Sequence, residues 1–161
     1  MGIMLSQMQR LSFNVEGRYA TDEELRFIPE YLKTYELRLQ TYQKLQEIEQ
    51  LVVEQVLEKI QAQDPNILRV GTTDISPKCK RDTTLVWRYS VAALLMDDLD
   101  TFRERFLLWF QTIMRAFNHQ KISHATYPAM QDIVKQHLTP QQCSLFLPII
   151  DLNRRLLGND Q

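Results

Sequence analysis

The sequence predicts an all-α fold, and three observations carry that expectation. Glycine is scarce, 4 in 161 residues, which disfavours the tight turns of a β-fold. Apolar residues recur at intervals of three and four along Leu45, Ile48, Val52, Val56 and Ile60. No alternating pattern persists anywhere, so no strand is expected. The length suits a single domain over residues 1–161, with about seven or eight helices, no internal repeat and no low-complexity segment.

The elements follow in order. Residues 3–13 form an amphipathic stretch, with Ile3, Met4, Leu5, Met8, Leu11 and Phe13 against Ser6, Gln7, Gln9 and Arg10. It reads as a partner surface rather than a membrane anchor. Thr21-Asp22-Glu23-Glu24 is a capping box that starts a helix through Leu25, Ile28 and Leu32, with Pro29 expected to kink or end it. A long helix is predicted over 34–61. Asp64-Pro65-Asn66 stops it, and 64–75 is read as a loop. Ser76-Pro77 predicts an N-cap and a proline at the first helical position of a helix to Met96. Asp97-Asp98 and Asp100 mark a break, an aromatic-rich helix covers 101–117, and 118–125 is read as a loop. A short helix covers Pro128 to His137. Thr139-Pro140-Gln141-Gln142 caps a final helix that ends at Gly158, expected as its C′ residue.

Composition excludes several functions. The formal net charge is −1, so there is no basic excess to neutralise phosphates, and no nucleic acid partner is expected. The apolar stretches Val91 to Met96 and Phe106 to Phe110 fall far short of the ~20 residues of a membrane span, so no membrane insertion is expected. No secretory signal is seen, and the myristoylation-like start at Met1-Gly2 reads as coincidence. Two cysteines make neither a disulfide framework nor a metal cluster, and both suit a reducing compartment as thiols. His119, His124 and His137 match no zinc spacing, so no metal is expected. Their positions, in loops or at a helix end, also fit poorly with a haem-type proximal ligand. There is no phosphate loop, nucleophile elbow or paired-carboxylate signature, and no enzymatic activity is expected.

The chemistry concentrates at Pro77-Lys78-Cys79-Lys80-Arg81-Asp82. Cys79 and Asp82 are three apart and share a helix face, flanked by Lys78 and Arg81. Cys79 lies in the first helical turn, where free N–H groups, the macrodipole and neighbouring cations favour thiolate. The plain alternative is a small buried cysteine beside a solvated face, with a Lys78–Asp82 pair contributing about 0.3–0.5 kcal/mol. The pattern could instead form a covalent anchor, an acceptor for pyrrole N–H groups and a clamp for propionates, the set a linear tetrapyrrole needs. Cys143 has no comparable context and reads as filler.

Lys78-Cys79-Lys80-Arg81-Asp82, then Arg88-Tyr89 and Asp97-Asp98, resembles the chromophore-helix segment of the phycobiliproteins. Glu16-Gly17-Arg18-Tyr19 with Asp22-Glu23-Glu24-Leu25, and Leu138-Thr139-Pro140 before the closing helix, resemble other segments of that family in order and spacing. The resemblance spans about residues 10–158. It implies a globin-like fold over 21–158 with an extra N-terminal helix pair over 1–20. It also implies a light-harvesting subunit of the phycobilisome, at the cytoplasmic (stromal) face of the thylakoid. One phycocyanobilin-like bilin would be thioether-linked to Cys79. Asp82 would accept from the pyrrole nitrogens, and Arg81 and Lys78 would meet the propionates. The implied partner is a β-type subunit or a second copy, docked through residues 1–20 and the Arg88 region.

The chain departs from the family pattern in three places. Leu85 and Val86 stand where a tyrosine pair usually walls the pigment, the glycine-rich loop before the helix is missing, and Asn14 replaces an aspartate that usually pairs with the second arginine across the interface. Arg88 is therefore expected to lack its usual ionic partner. These departures support an alternative, a pigment-free interaction protein acting in assembly, turnover or regulation of antenna complexes.

Overall fold

Two capping boxes set the ends of the helical body in the computed structural model, which describes residues 4–158. At the first, the Thr21 N–H donates to Glu24 Oε2 at 2.9 Å and the Glu24 N–H donates back to Thr21 Oγ1 at 3.2 Å. The box opens the single turn α2 (Asp22–Leu25), which runs into α3 (Phe27–Gln63). Pro29 neither kinks nor ends the helix as expected. It lies in the first turn of α3, where a missing N–H leaves no hydrogen bond unmade. The helix is thus 37 residues long, against the shorter 34–61 of the sequence reading.

Ahead of it, α1 (Met4–Asn14) folds back onto its own chain. The Met4 N–H donates to Asp97 O at 3.2 Å, and the Ser6 N–H and Oγ donate to the Asp98 carboxylate at 2.7 and 3.0 Å. Met8 and Phe13 stay exposed. Ile3 of the predicted stripe and the Met1-Gly2 start lie outside the described residues.

The expected loop after α3 contains a small antiparallel hairpin, β1 (Arg69–Val70) with β2 (Thr73–Asp74), turned by Gly71 at φ 60°. Two-residue strands are too short to show alternation in sequence. The hairpin leads into α4 (Ser76–Met96). Ser76 is not the N-cap. Ile75 holds that position, and the Asp74 carboxylate accepts from the Ser76 N–H at 2.9 Å and Oγ at 2.6 Å. At the other end Asp97 takes a left-handed conformation, φ 50°. The half-orphaned carbonyls there are met by α3: Arg38 Nη1 donates to Leu94 O at 2.7 Å and Tyr31 Oη to Leu95 O at 2.7 Å.

The predicted helix over 101–117 divides into three. Asp98 caps the short α5 (Leu99–Phe102), a π-helical turn spans Arg103–Leu107, and α6 covers Leu108–Ala116. Phe102, Phe106 and Phe110, four apart along this stretch, stack in series. The predicted loop over 118–125 is also revised. α7 (Gln120–Val134) starts eight residues before Pro128, which sits inside the helix. The second capping box opens α8 (Pro140–Leu157), with the Gln142 N–H on Thr139 Oγ1 at 3.2 Å.

The core joins α3, α4 and α8. Trp87 meets Phe146 edge-on, 5.2 Å between centroids, and donates to Leu45 O at 3.3 Å. Leu45, Val52, Val56, Leu94, Phe146 and Ile150 are fully buried around it, each contributing about 1.5–3 kcal/mol of apolar transfer. No helix among the described residues is long and apolar enough to cross a membrane.

Candidate functional site

Cys79 and Asp82 lie on one face of α4 and line the same cavity, as their spacing predicts. α4 contributes Cys79, Asp82 and Thr83. α6, α7 and the corner between them contribute Phe110, Met114, His119, Ile122, Ser123, Thr126 and Tyr127. The remaining volume is about 20 Å³, room for a single water. A roomier groove lies elsewhere, about 380 Å³ between α3 and α4, lined by Tyr42, Gln46, Glu49, Trp87, Arg88 and Val91. It holds no nucleophile, so the smaller cavity is the chemical candidate.

Cys79 does not become the thiolate that its helix position suggests. Burial pushes its thiol up to about 11, and Asp82 and Asp74 add to the rise against the pull of Lys78. The predicted macrodipole effect is outweighed because Asp74 already occupies the helix N-terminus and the Cys79 N–H is spent on Ile75 O at 3.0 Å. Asp82 is mostly buried, and the nearest cation is Arg81 Nε at 3.6 Å. Arg81 itself points to solvent, its side chain 75% exposed.

Lys78 makes no pair with Asp82. Its ammonium stands 3.8 Å over the ring of Phe117 at the end of α6. Lys80 turns away to Glu54 of α3 at 3.1 Å. Of the four predicted residues, two face the cavity, Lys78 bridges its edge and Arg81 stays outside.

His119, Ser123, Thr126 and Tyr127 were not foreseen as part of the site. His119 is buried, and desolvation, with Lys78 nearby, holds it below the usual histidine value. Tyr127 is also buried, its phenol raised by desolvation and by Asp82. Ile122, Thr126, Ala129 and Ile133, spaced by four, three and four, carried the signal of a helix face, but Pro128 masked it. No His, Cys, Asp or Glu group among the described residues could hold a metal ion. Arg88, expected to lack its usual partner across the interface, holds Glu49 of its own chain in α3 through two bonds at 2.7 and 2.9 Å. Cys143 is half-buried against the core.

A model of the family described as phycobilisome protein matches residues 11–157. A search of the curated proteins gives no match.

Proposed function

The chain belongs to the phycobilisome protein family, and from that premise we propose that it is a light-harvesting subunit carrying one linear tetrapyrrole on Cys79. The observation that carries this reading is the shared cavity: a thiol and a carboxylate from one helix face meet the second wall formed by α6 and α7. The donor set suits the group. Cys79 would hold it as a thioether, and Asp82, with no partner closer than 3.6 Å, has acceptor capacity for N–H donors. Lys78 at the edge would meet a carboxylate, and the solvent-exposed Arg81 would have to swing in to meet a second. The bound bilin supplies visible absorption. Its entry requires room, since cofactor sites generally occupy about 300–1,000 Å³. The two walls must therefore separate.

The reading places the chain at the cytoplasmic (stromal) face of the thylakoid and in an oligomer with a β-type subunit or a second copy. Residues 1–20 and the groove beside Arg88 are the proposed contacts. It assigns no catalysis.

A second reading, a pigment-free interaction protein of the same family, is favoured by the 20 Å³ volume and by a thiol that stays protonated at neutral pH. One experiment separates the two: an absorption spectrum of protein from its native host, with mass spectrometry of the Cys79 peptide. A red band and an added mass of roughly 590 Da, one tetrapyrrole at one thiol, support the carrier. Colourless protein with unmodified Cys79 supports the pigment-free reading. In the carrier, Cys79→Ala abolishes covalent pigment, and a zinc-fluorescent band surviving on a denaturing gel would refute the attachment site.

A further inference from the structure

The wall that closes over Cys79 meets the helix that bears it mainly through apolar contacts. α6 packs on α8, and α7 packs on α3 and α8, while neither packs extensively on α4. Among the described residues, no hydrogen bond or ion pair joins α4 to α6 or α7. Cys79, Asp82, Thr83, His119 and Tyr127 bring polar groups to the same cavity without bonding one another across it. At the far end Tyr89 of α4 stacks on Phe106 of the π turn ahead of α6, 4.0 Å between centroids, and beside Cys79 the two sides are spanned by Lys78 over Phe117 at 3.8 Å, next to the corner where Asn118 turns through φ 55°. Phe117 is 58% exposed, and its ring also lies 6.0 Å from that of His119 between centroids.

We propose that the seam between α4 and the α6–α7 pair is a gate, latched by Lys78 on the Phe117 ring, and that its opening exposes Cys79. In purpose the gate rests on the carrier reading, because it makes the room that a tetrapyrrole needs. Its mechanics are independent of any pigment. Closed, the gate keeps the thiol away from adventitious electrophiles. Opening costs one exposed cation–π contact and the apolar contacts around the cavity, and it lets water reach the unbonded polar groups.

The test uses the full chain with Cys143→Ser, so that Cys79 is the single thiol. Iodoacetamide alkylates it: the thiolate sulfur forms a bond to carbon, iodide leaves and the thiol proton goes to solvent. The rate is followed by mass spectrometry in native buffer and in denaturant. The gate predicts strong protection in the native chain relative to the denatured one. Phe117→Ala should accelerate native alkylation about two- to five-fold, the factor set by one exposed cation–π contact. Lys78→Arg, which keeps a cation over the ring, should stay at the parent rate. Unchanged protection in Phe117→Ala, or no protection in the parent, overturns the gate. A thermal melt checks that Phe117→Ala remains folded, and Phe117→Tyr, which keeps the ring, should restore protection. Faster alkylation with no pigment in native-host protein keeps the gate and removes the carrier. Pigment on Cys79 with an unaltered alkylation rate keeps the carrier and removes the gate.

Discussion

Two influences oppose each other at Cys79, and burial wins. An exposed thiol in the first turn of a helix between two lysines would ionise early, but this one is desolvated and faces Asp82. Its alkylation rate should therefore keep rising with pH towards a midpoint near 11, and a midpoint in the ordinary thiol range would contradict the burial argument. Asp82→Asn removes a charge that raises the thiol, so the midpoint should fall. The same shift has a consequence for stability. A thiol raised on folding contributes its full share below its ordinary value of 9.0, and that share is lost as pH rises towards 11, because the unfolded chain releases its proton first. Between pH 8 and 10.5 the parent should lose more melting temperature than Cys79→Ala. Equal losses would show that the folded thiol is not perturbed.

Helix ends set the next level of organisation. Thr139 and Gln142 satisfy each other's N–H groups at the start of α8, and Thr139→Ala should cost about 1 kcal/mol in denaturant unfolding. The C-terminus of α4 depends on a neighbouring helix instead. Arg38 is nearly buried, bonds Leu94 O and pairs with Asp97 Oδ1 at 2.9 Å. Arg38→Met leaves that carboxylate without its cation, and a loss of about 3 kcal/mol is expected. A loss under 1 kcal/mol would mean that water satisfies the corner equally well. Gly158 acts differently from the predicted C′ glycine. Its φ is −104°, so it needs no left-handed freedom. A Cβ there would stand 2.9 Å from Arg154 O and 3.0 Å from His124 Cα, so close approach to α7 is what requires glycine.

For the whole molecule, α1 is the element proposed to meet a partner. It is pinned by Ser6 on Asp98 yet leaves Met8 and Phe13 exposed. If it is the association surface, deleting residues 1–13 should leave a folded chain of lower mass by light scattering. An unchanged mass would place the contact elsewhere. The groove beside Arg88 is the other proposed contact, and there Glu49 already neutralises the arginine that a partner's aspartate would meet.

Much of this protein is written in local sequence. The capping boxes, the apolar repeat of α3 and the Cys79–Asp82 spacing depend on residues three or four apart, so the all-α class and the shared face of the site were legible before any coordinates. Other features were decided by residues distant in the chain. Whether Cys79 ionises depends on α6 and α7 closing over it, and whether Arg88 is paired depends on Glu49, 39 residues away. His119, the N-cap of α7, and Tyr127 joined the site because α7 begins before Pro128, and a π turn interrupts the aromatic-rich helix. Helical periodicity is a local property of the chain, whereas burial and charge pairing arise when helices meet, and at this site those two outweigh the helix dipole.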